Sequence, residues 1–259
     1  MPAGKPPSAA RRPADVPEAR RALLNNAQVS AANLAESLAV DFNILLPRAF
    51  PDIGPADAHA IASMPGITRR MQAAGQWLAA HAKARPIAAL AKSPSDTVRG
   101  IACFALACMP ARAFPQRLQR LRPFADDDHF GVREWAWLSH RPHVIDRLPD
   151  ALSALSAWVQ SPRPNLRRCA IEICRPRGVW CAHLNALQAE PQLALGLLEP
   201  LINEPERYVQ KSIANWLNDA SRSRPEWVRS LCQQWLQRSN TPATRWICAR
   251  GCRSLSTGR

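Results

Sequence analysis

The sequence predicts an all-α fold built of stacked helix pairs, and three observations lead there. Leu and Ala dominate the composition and Tyr208 is the one tyrosine, a balance that favours helix over sheet. The 24 prolines suit many short helices, because proline is tolerated at first turns and just past helix ends but not in long helix interiors. Five triplets recur along the chain: Thr97-Val98-Arg99, Gly131-Val132-Arg133, Asn165-Leu166-Arg167, Tyr208-Val209-Gln210 and Ala243-Thr244-Arg245. Their third residues are separated by 34, 34, 43 and 35 positions. A repeat of that length fits one helix pair per unit.

Each triplet follows a polar or proline-containing break and opens an amphipathic stretch, the second helix of a pair. The aliphatic–arginine opening followed by small residues (Ala102, Ala136, Ala170) looks like a HEAT repeat. The first helices fall in the intervening stretches 116–125, 152–160, 183–202 and 226–237, where apolar residues recur at i, i+3 and i+4. Pro225 ahead of Glu226-Trp227 is a helix-start signal. Upstream, 32–46 and 67–82 read as further helices. The whole is a HEAT-like helical-repeat solenoid of about six helix pairs with a concave basic groove. One such domain is expected over 22–259. Residues 1–21, rich in Pro, Ala and Arg without periodicity, are expected to form a disordered basic arm.

The formal charge is +14, from 34 Lys and Arg against 20 Asp and Glu. Such a field attracts polyanions, nucleic acid first and an anionic membrane surface second. No apolar run is long enough to span a membrane, and the N-terminus lacks a secretory hydrophobic region. The eight cysteines include no CxxC pair. Cys181-x-His183 and His140-x2-His143 are the nearest things to ligand pairs, and neither has a second pair at zinc spacing. The cysteines read as buried thiols in a reducing cytoplasm, with no metal and no cofactor.

Aligning the second helices on their triplets exposes a polar stripe. The residue after each triplet, then steps of four, gives Glu134, Leu138 and Pro142; Arg168, Glu172 and Pro176; Lys211, Asn215 and Asp219; Trp246, Arg250 and Ser254. Residues four apart share a helix face, and equivalent faces of stacked repeats line one surface. Such a stripe can be a solvated face with weakly paired charges. Here Trp135, Trp137, Trp180, Trp216 and Trp246 cluster with it, and Arg175, Arg177, Arg245 and Arg253 surround it. Aromatic rings beside cations suit a nucleic-acid groove. Acids in such a groove repel phosphate and require a separate reason.

Residues 165–180, NLRRCAIEICRPRGVW, followed by 207–228, RYVQKSIANWLNDASRSRPEWV, resemble the DNA alkylation-repair glycosylases built of HEAT-like repeats, in particular their AlkC-type branch. Residues 124–137, FADDDHFGVREWAW, resemble that branch too, and the likeness runs over roughly 32–255. The resemblance rests on Arg167-Arg168, Glu172, Arg175-Pro176 and Trp180, then Lys211, Ser212-Ile213-Ala214-Asn215 and Leu217-Asn218-Asp219. It implies that Glu172 and Asp219 are active-site acids, Glu134 a third acid and Trp180 an aromatic wall. Arg168, Lys211, Asn215, Arg175, Arg177, Arg245 and Arg250 would contact DNA. The implied activity is hydrolysis of the N-glycosidic bond of cationic alkylated bases (3-methyladenine, 7-methylguanine or 3-methylcytosine) without extruding the base into a deep pocket. The implied partner is DNA carrying such bases, the implied state a cytoplasmic, nucleoid-associated monomer. The sequence departs from the branch at Ile173-Cys174, at Val179 where proline is usual, and at Trp216. Branch members that continue into an immunoglobulin-like domain do so past the point where this chain ends. A DNA-binding repeat protein without catalysis, and a protein-interaction scaffold, share the same architecture.

Overall fold

The computed structural model describes residues 10–82 and 84–255, and the regular structure among them is all helical, with no strand among the described residues. Among the described residues, sixteen α-helices follow in chain order: α1 (Glu18–Asn25), α2 (Leu34–Leu38), α3 (Phe42–Ala49), α4 (Pro55–Ala62), α5 (Ile67–His81), α6 (Ala84–Ala89), α7 (Asp96–Cys108), α8 (Phe114–Ala125), α9 (Phe130–Asp146), α10 (Leu148–Val159), α11 (Pro164–Ile173), α12 (Asn185–Ala189), α13 (Leu195–Leu198), α14 (Arg207–Ser221), α15 (Pro225–Arg238) and α16 (Pro242–Gly251). The five triplets open α7, α9, α11, α14 and α16, as their spacing predicts. Prolines begin α4, α11, α15 and α16, where the missing N–H costs nothing.

The helices gather into two compact units. The first runs to Ala111 and adds Asp127–Ser139, and so holds α1–α7 and the first part of α9. The second holds α8, the rest of α9 and α10–α16. In the first unit α5 packs on α7, with Met71, Ala74, Ile101 and Ala102 closed off from solvent. Gly100 gives the Trp135 indole room to pack; a Cβ there would meet its ring at 2.6 Å. In the second unit α11 packs on α14, and α14 on α16. Val209, Ile213, Trp216, Leu217 and Ala220 of α14 are fully buried. That 3.6-residue stripe stabilises by roughly 2 kcal/mol per large side chain.

The recurrence of the triplet has a local cause. Its third side chain always returns to a backbone carbonyl of the loop just before its own helix. Arg99 Nη1 donates to Ser93 O at 2.5 Å, Arg133 Nη1 to Asp127 O at 2.6 Å, and Arg167 Nη1 to Ser161 O at 2.9 Å. Gln210 Nε2 donates to Glu204 O at 2.7 Å and Arg245 Nη1 to Asn240 O at 2.6 Å. Each bond satisfies a carbonyl that the loop would otherwise strand. Two of the arginines also reach an acid ahead of the next second helix. Arg99 Nε lies 2.8 Å from Asp127 Oδ2, within the first unit. Arg167 Nη2 lies 2.7 Å from Glu204 Oε1, within the second. Those acids accept from backbone amides two residues on, His129 N and Glu206 N, and so fix the entry of the following helix.

Three expectations need correction. The boundary at 21/22 falls inside α1, and residues 10–21 are not a disordered arm. Arg20 pairs with the fully buried Glu36 at 2.9 Å, and Val16 and Leu24 are buried. Residues 1–9 of the expected arm lie outside the described residues. The stretch 32–46 is two helices, because Asp41 caps α3 through its bond from Asn43 N at 2.9 Å. The stretch 183–202 is four short pieces. Pro191 opens one 3₁₀ turn and Pro200 is the second residue of another, since neither can supply the N–H an α-helix needs there.

Candidate active site

The site lies in the second unit, where the C-terminal ends of α11 and α14 meet. α11 stops at Ile173, with Cys174 already off helical geometry and Pro176 two residues further on. Glu172 therefore sits on the last turn of α11, and Arg175 just beyond it. Asp219 sits near the end of α14. Both acids are nearly sealed, Glu172 at 4% exposure and Asp219 at 7%.

One guanidinium serves both carboxylates. Arg175 Nε donates to Asp219 Oδ2 at 2.8 Å, and Arg175 Nη1 donates to Glu172 Oε2 at 3.2 Å. Burial works against the charge of Arg175. The fields of Glu172 and Asp219 outweigh it and leave its pKa above the usual value. Glu172 Oε1 accepts from Ser212 Oγ at 2.6 Å and lies 3.7 Å from Arg168 Nη2. Both oxygens of Glu172 are thus committed. Asp219 differs: Oδ2 is held, while Oδ1 has no hydrogen-bond partner among the described residues.

The loop after α11 is fastened from beneath by Arg141, 1% exposed. Its guanidinium donates to Ile173 O at 3.0 Å, Arg175 O at 2.6 Å and Ala182 O at 3.0 Å. Burial lowers the pKa of this arginine, and the nearby thiols of Cys181 and Cys174 partly offset that. Leu184 N and Gln188 Nε2 both donate to Pro176 O, at 3.0 and 3.1 Å, and close the loop. Gly178 is needed at its turn: a Cβ there would collide with the carbonyl of Cys181. The tip presents Val179 and Trp180, 72% and 78% exposed. Arg177 ties the same loop to α14 through Asp219 O at 3.4 Å and Ser223 Oγ at 3.0 Å.

The residues expected at the site divide clearly. Glu172 and Asp219 are brought together, as the helical spacing requires. Arg175, expected on a phosphate, donates to both acids. Arg177 is committed to α14, and Arg245 to Asn240. Arg168 lies over the Tyr208 ring at 4.4 Å. Asn215 accepts from Arg253 Nη2 at 3.0 Å. Lys211 and Arg250 are exposed. Glu134 belongs to the first unit, where it accepts from Trp137 Nε1 at 2.9 Å.

Of the clustered tryptophans, Trp216 is fully buried and donates to Cys174 O at 2.9 Å, so it has no surface to offer a ligand. One residue past Asn215 on a helix is a turn of about 100° towards the core. Ser212 belongs to the motif that carries the resemblance but has no role assigned by it, and Arg141 carries no sequence signal that separates it from an ordinary helix position. Their roles exist only once α11, α14 and the loop are packed.

Positive charge exceeds negative around the acids. The pKa of Arg253 is lowered by burial first, then by Arg250; Asp219 opposes this, and Arg175 and Arg222 add to it. A carboxylate oxygen left open beside fixed cations can stabilise a positive charge that develops near it, or accept a proton from water.

Comparison with known proteins bears on this arrangement. The profile of a family described as "DNA alkylation repair enzyme" matches residues 68–255. An uncharacterized protein, YhaZ of Bacillus subtilis (strain 168), is 35% identical over 115 residues, 44% of this chain and 32% of its own length. The structure of Pseudomonas fluorescens alkylpurine DNA glycosylase AlkC, bound to DNA containing an abasic site analogue, matches with a TM-score of 0.71 at 24% identity. That match covers 93% of this chain and 65% of the other, and shows a common helical-repeat fold. The chain thus spans about a third of the one relative and just under two thirds of the other. With the family profile matched over 68–255, through both acids and the loop between them, the chain belongs to the DNA alkylation repair enzyme family.

Proposed function

We propose that the protein is a DNA glycosylase that hydrolyses the N-glycosidic bond of cationic alkylated bases, of the 3-methyladenine, 7-methylguanine or 3-methylcytosine class. The observation that carries the reading is the pair of acids sharing Arg175, with Asp219 Oδ1 left open in a positively charged setting. Family membership and the shared fold support it.

Alkylation at a ring nitrogen gives the base a positive charge, so the base leaves as a neutral molecule without being protonated. The charge then develops on the sugar, and an anion near C1′ lowers that barrier. Asp219 takes this role through Oδ1 and can also accept the proton of the attacking water. Glu172 orients Arg175, and Arg175 orients Asp219. Trp180, on a braced loop with its ring exposed, packs against the deoxyribose and excludes water. Glu134 is proposed as a third acid.

Arg168, Lys211, Asn215, Arg245 and Arg250, with further contributions from Arg175 and Arg177, form the DNA-facing set. Binding through backbone and sugar needs no deep base pocket. The protein acts as a monomer on DNA in the cytoplasm, associated with the nucleoid.

Purified protein incubated with N-methylated DNA is expected to release methylated bases above a heat-inactivated control. Asp219→Asn should slow release on the order of 100-fold, with DNA affinity equal or tighter because an anion leaves the groove. No release by the wild type would overturn the glycosylase reading. An unchanged rate in Asp219→Asn would overturn the role of that residue.

A further inference from the structure

α15 and the end of α16, both in the second unit, bring three cysteines together. Cys232 lies on the inner face of α15, 4% exposed, and Cys248 on the buried side of α16, 3% exposed. Cys252 caps α16 and is half-buried. The Sγ atoms of Cys232 and Cys252 are 3.7 Å apart. Cys248 Sγ donates to the Cys232 carbonyl at 3.8 Å.

Core packing accounts for Cys232 and Cys248, since a buried thiol behaves as a small apolar group. It does not account for Cys252, which reaches solvent and holds a second thiol in contact. A hydrogen bond from Cys232 brings the Cys252 thiol down to about 7; burial opposes this and Arg229 assists. Cys248 first, then Cys252 and burial, push the Cys232 thiol up, and it keeps its proton. One accessible thiolate touching one protonated thiol is the arrangement that thiol–disulfide chemistry requires.

We propose that Cys232 and Cys252 form an oxidisable dithiol, which hydroperoxides convert into an intramolecular disulfide joining α15 to the turn after α16. The Cys252 thiolate attacks the terminal peroxide oxygen and the O–O bond breaks. Cys252 becomes a sulfenic acid, and the other oxygen leaves as alkoxide or hydroxide and takes a proton from water. The Cys232 sulfur then attacks the sulfenic sulfur; the S–O bond breaks, and the Cys232 proton leaves with the departing oxygen as water. Two thiols and one hydroperoxide give one disulfide, one water and one alcohol (or a second water). Two electrons pass from sulfur to peroxide.

Closure has a structural consequence. A disulfide needs an S–S separation of about 2.05 Å, so the sulfurs must approach. Cys232 is fixed mid-helix beside the buried Leu231 and Trp235, whereas Cys252 lies just past the last residue of α16. The C-terminal turn is therefore the part that moves. It carries Arg253, which donates to Asn215 Oδ1 at 3.0 Å, and Ser254, which donates to Asn218 Oδ1 at 2.9 Å. Both are braces on α14, the helix that carries Asp219. Oxidation pulls on the support of the acid site.

The test does not depend on the activity proposed above. Reduced full-length protein is treated with hydrogen peroxide, blocked with iodoacetamide and mapped by mass spectrometry without reduction. A peptide pair joined through Cys232 and Cys252, lighter by two hydrogens and separated by dithiothreitol, is expected. Trapping with dimedone should find a sulfenic acid on Cys252 in Cys232→Ser. Cys252 should be consumed at least about fivefold faster than the exposed Cys108. Its alkylation should be half-maximal near pH 7 and fall about tenfold between pH 8 and pH 6. A disulfide joining other cysteines, oxidation of Cys252 that stops at the sulfinic acid in wild type, or oxidation no faster than at Cys108 would each overturn the proposal. The cross-link is read on the wild-type chain, so a serine variant that fails to fold does not shield the proposal.

Discussion

Glu172 and Asp219 lie on the same polar stripe, yet their surroundings assign them different work. Ser212, Arg168 and Arg175 occupy Glu172 completely, while Asp219 keeps one oxygen open. Glu172→Gln should therefore cost stability on the order of 3 kcal/mol, since it removes the buried anion that two half-buried cations face. The shift of the urea unfolding midpoint at constant slope measures this. A variant as stable as wild type would leave Glu172 with no positioning role. The pairing of the two acids is legible in the sequence because a step of four keeps residues on one helix face. The fate of the surrounding arginines is not. An arginine that reads as a phosphate ligand can also hold a buried carboxylate, as Arg175 does, and only the packed geometry reveals that second role.

Among the elements, the five second helices are legible because each begins with a self-contained device: a long polar side chain bonded to the loop ahead of its own helix. Its partners lie five or six residues apart, so the signal survives in sequence alone. The region 183–202 misleads because its apolar spacing is helical while Pro191 and Pro200 interrupt the hydrogen-bond ladder. The loop between α11 and α12 depends on a contact far along the chain. Arg141 supplies donors to three loop carbonyls, 32 to 41 residues away, of which that of Ile173 is buried. Arg141→Met leaves the buried Ile173 carbonyl unsatisfied, at a cost of about 1–3 kcal/mol. Loss of about 1–3 kcal/mol in denaturant unfolding is expected, with new protease cleavage between Cys174 and Leu184. A variant with native stability and a protected loop would remove Arg141 from this role.

For the whole molecule, charge gives the broadest prediction. With a formal +14, DNA affinity should fall steeply as salt rises, because each phosphate contact releases condensed counterion. Fluorescence anisotropy at several salt concentrations reads the slope, and a flat response would argue against a phosphate-gripping surface. No helix among the described residues is long and apolar enough to cross a membrane. Residues that look like a basic tail become part of the first unit because Arg20 finds Glu36, and Val16 and Leu24 find the core.

By itself, the sequence determined what repeats and what is local: the all-helical class, the five triplets, the proline-led helix starts, and the placing of Glu172 and Asp219 on one stripe. These follow from periodicity and short-range hydrogen bonding, which neighbouring residues encode. The tertiary structure alone decided what depends on partners distant in sequence: that Arg175 bridges the acids, that Ser212 holds Glu172, that Arg141 underpins the Trp180 loop, that Trp216 is core, and that Cys232 meets Cys252. A side chain's role at such places is set by which buried charge or orphaned carbonyl it meets, and no local pattern records that meeting.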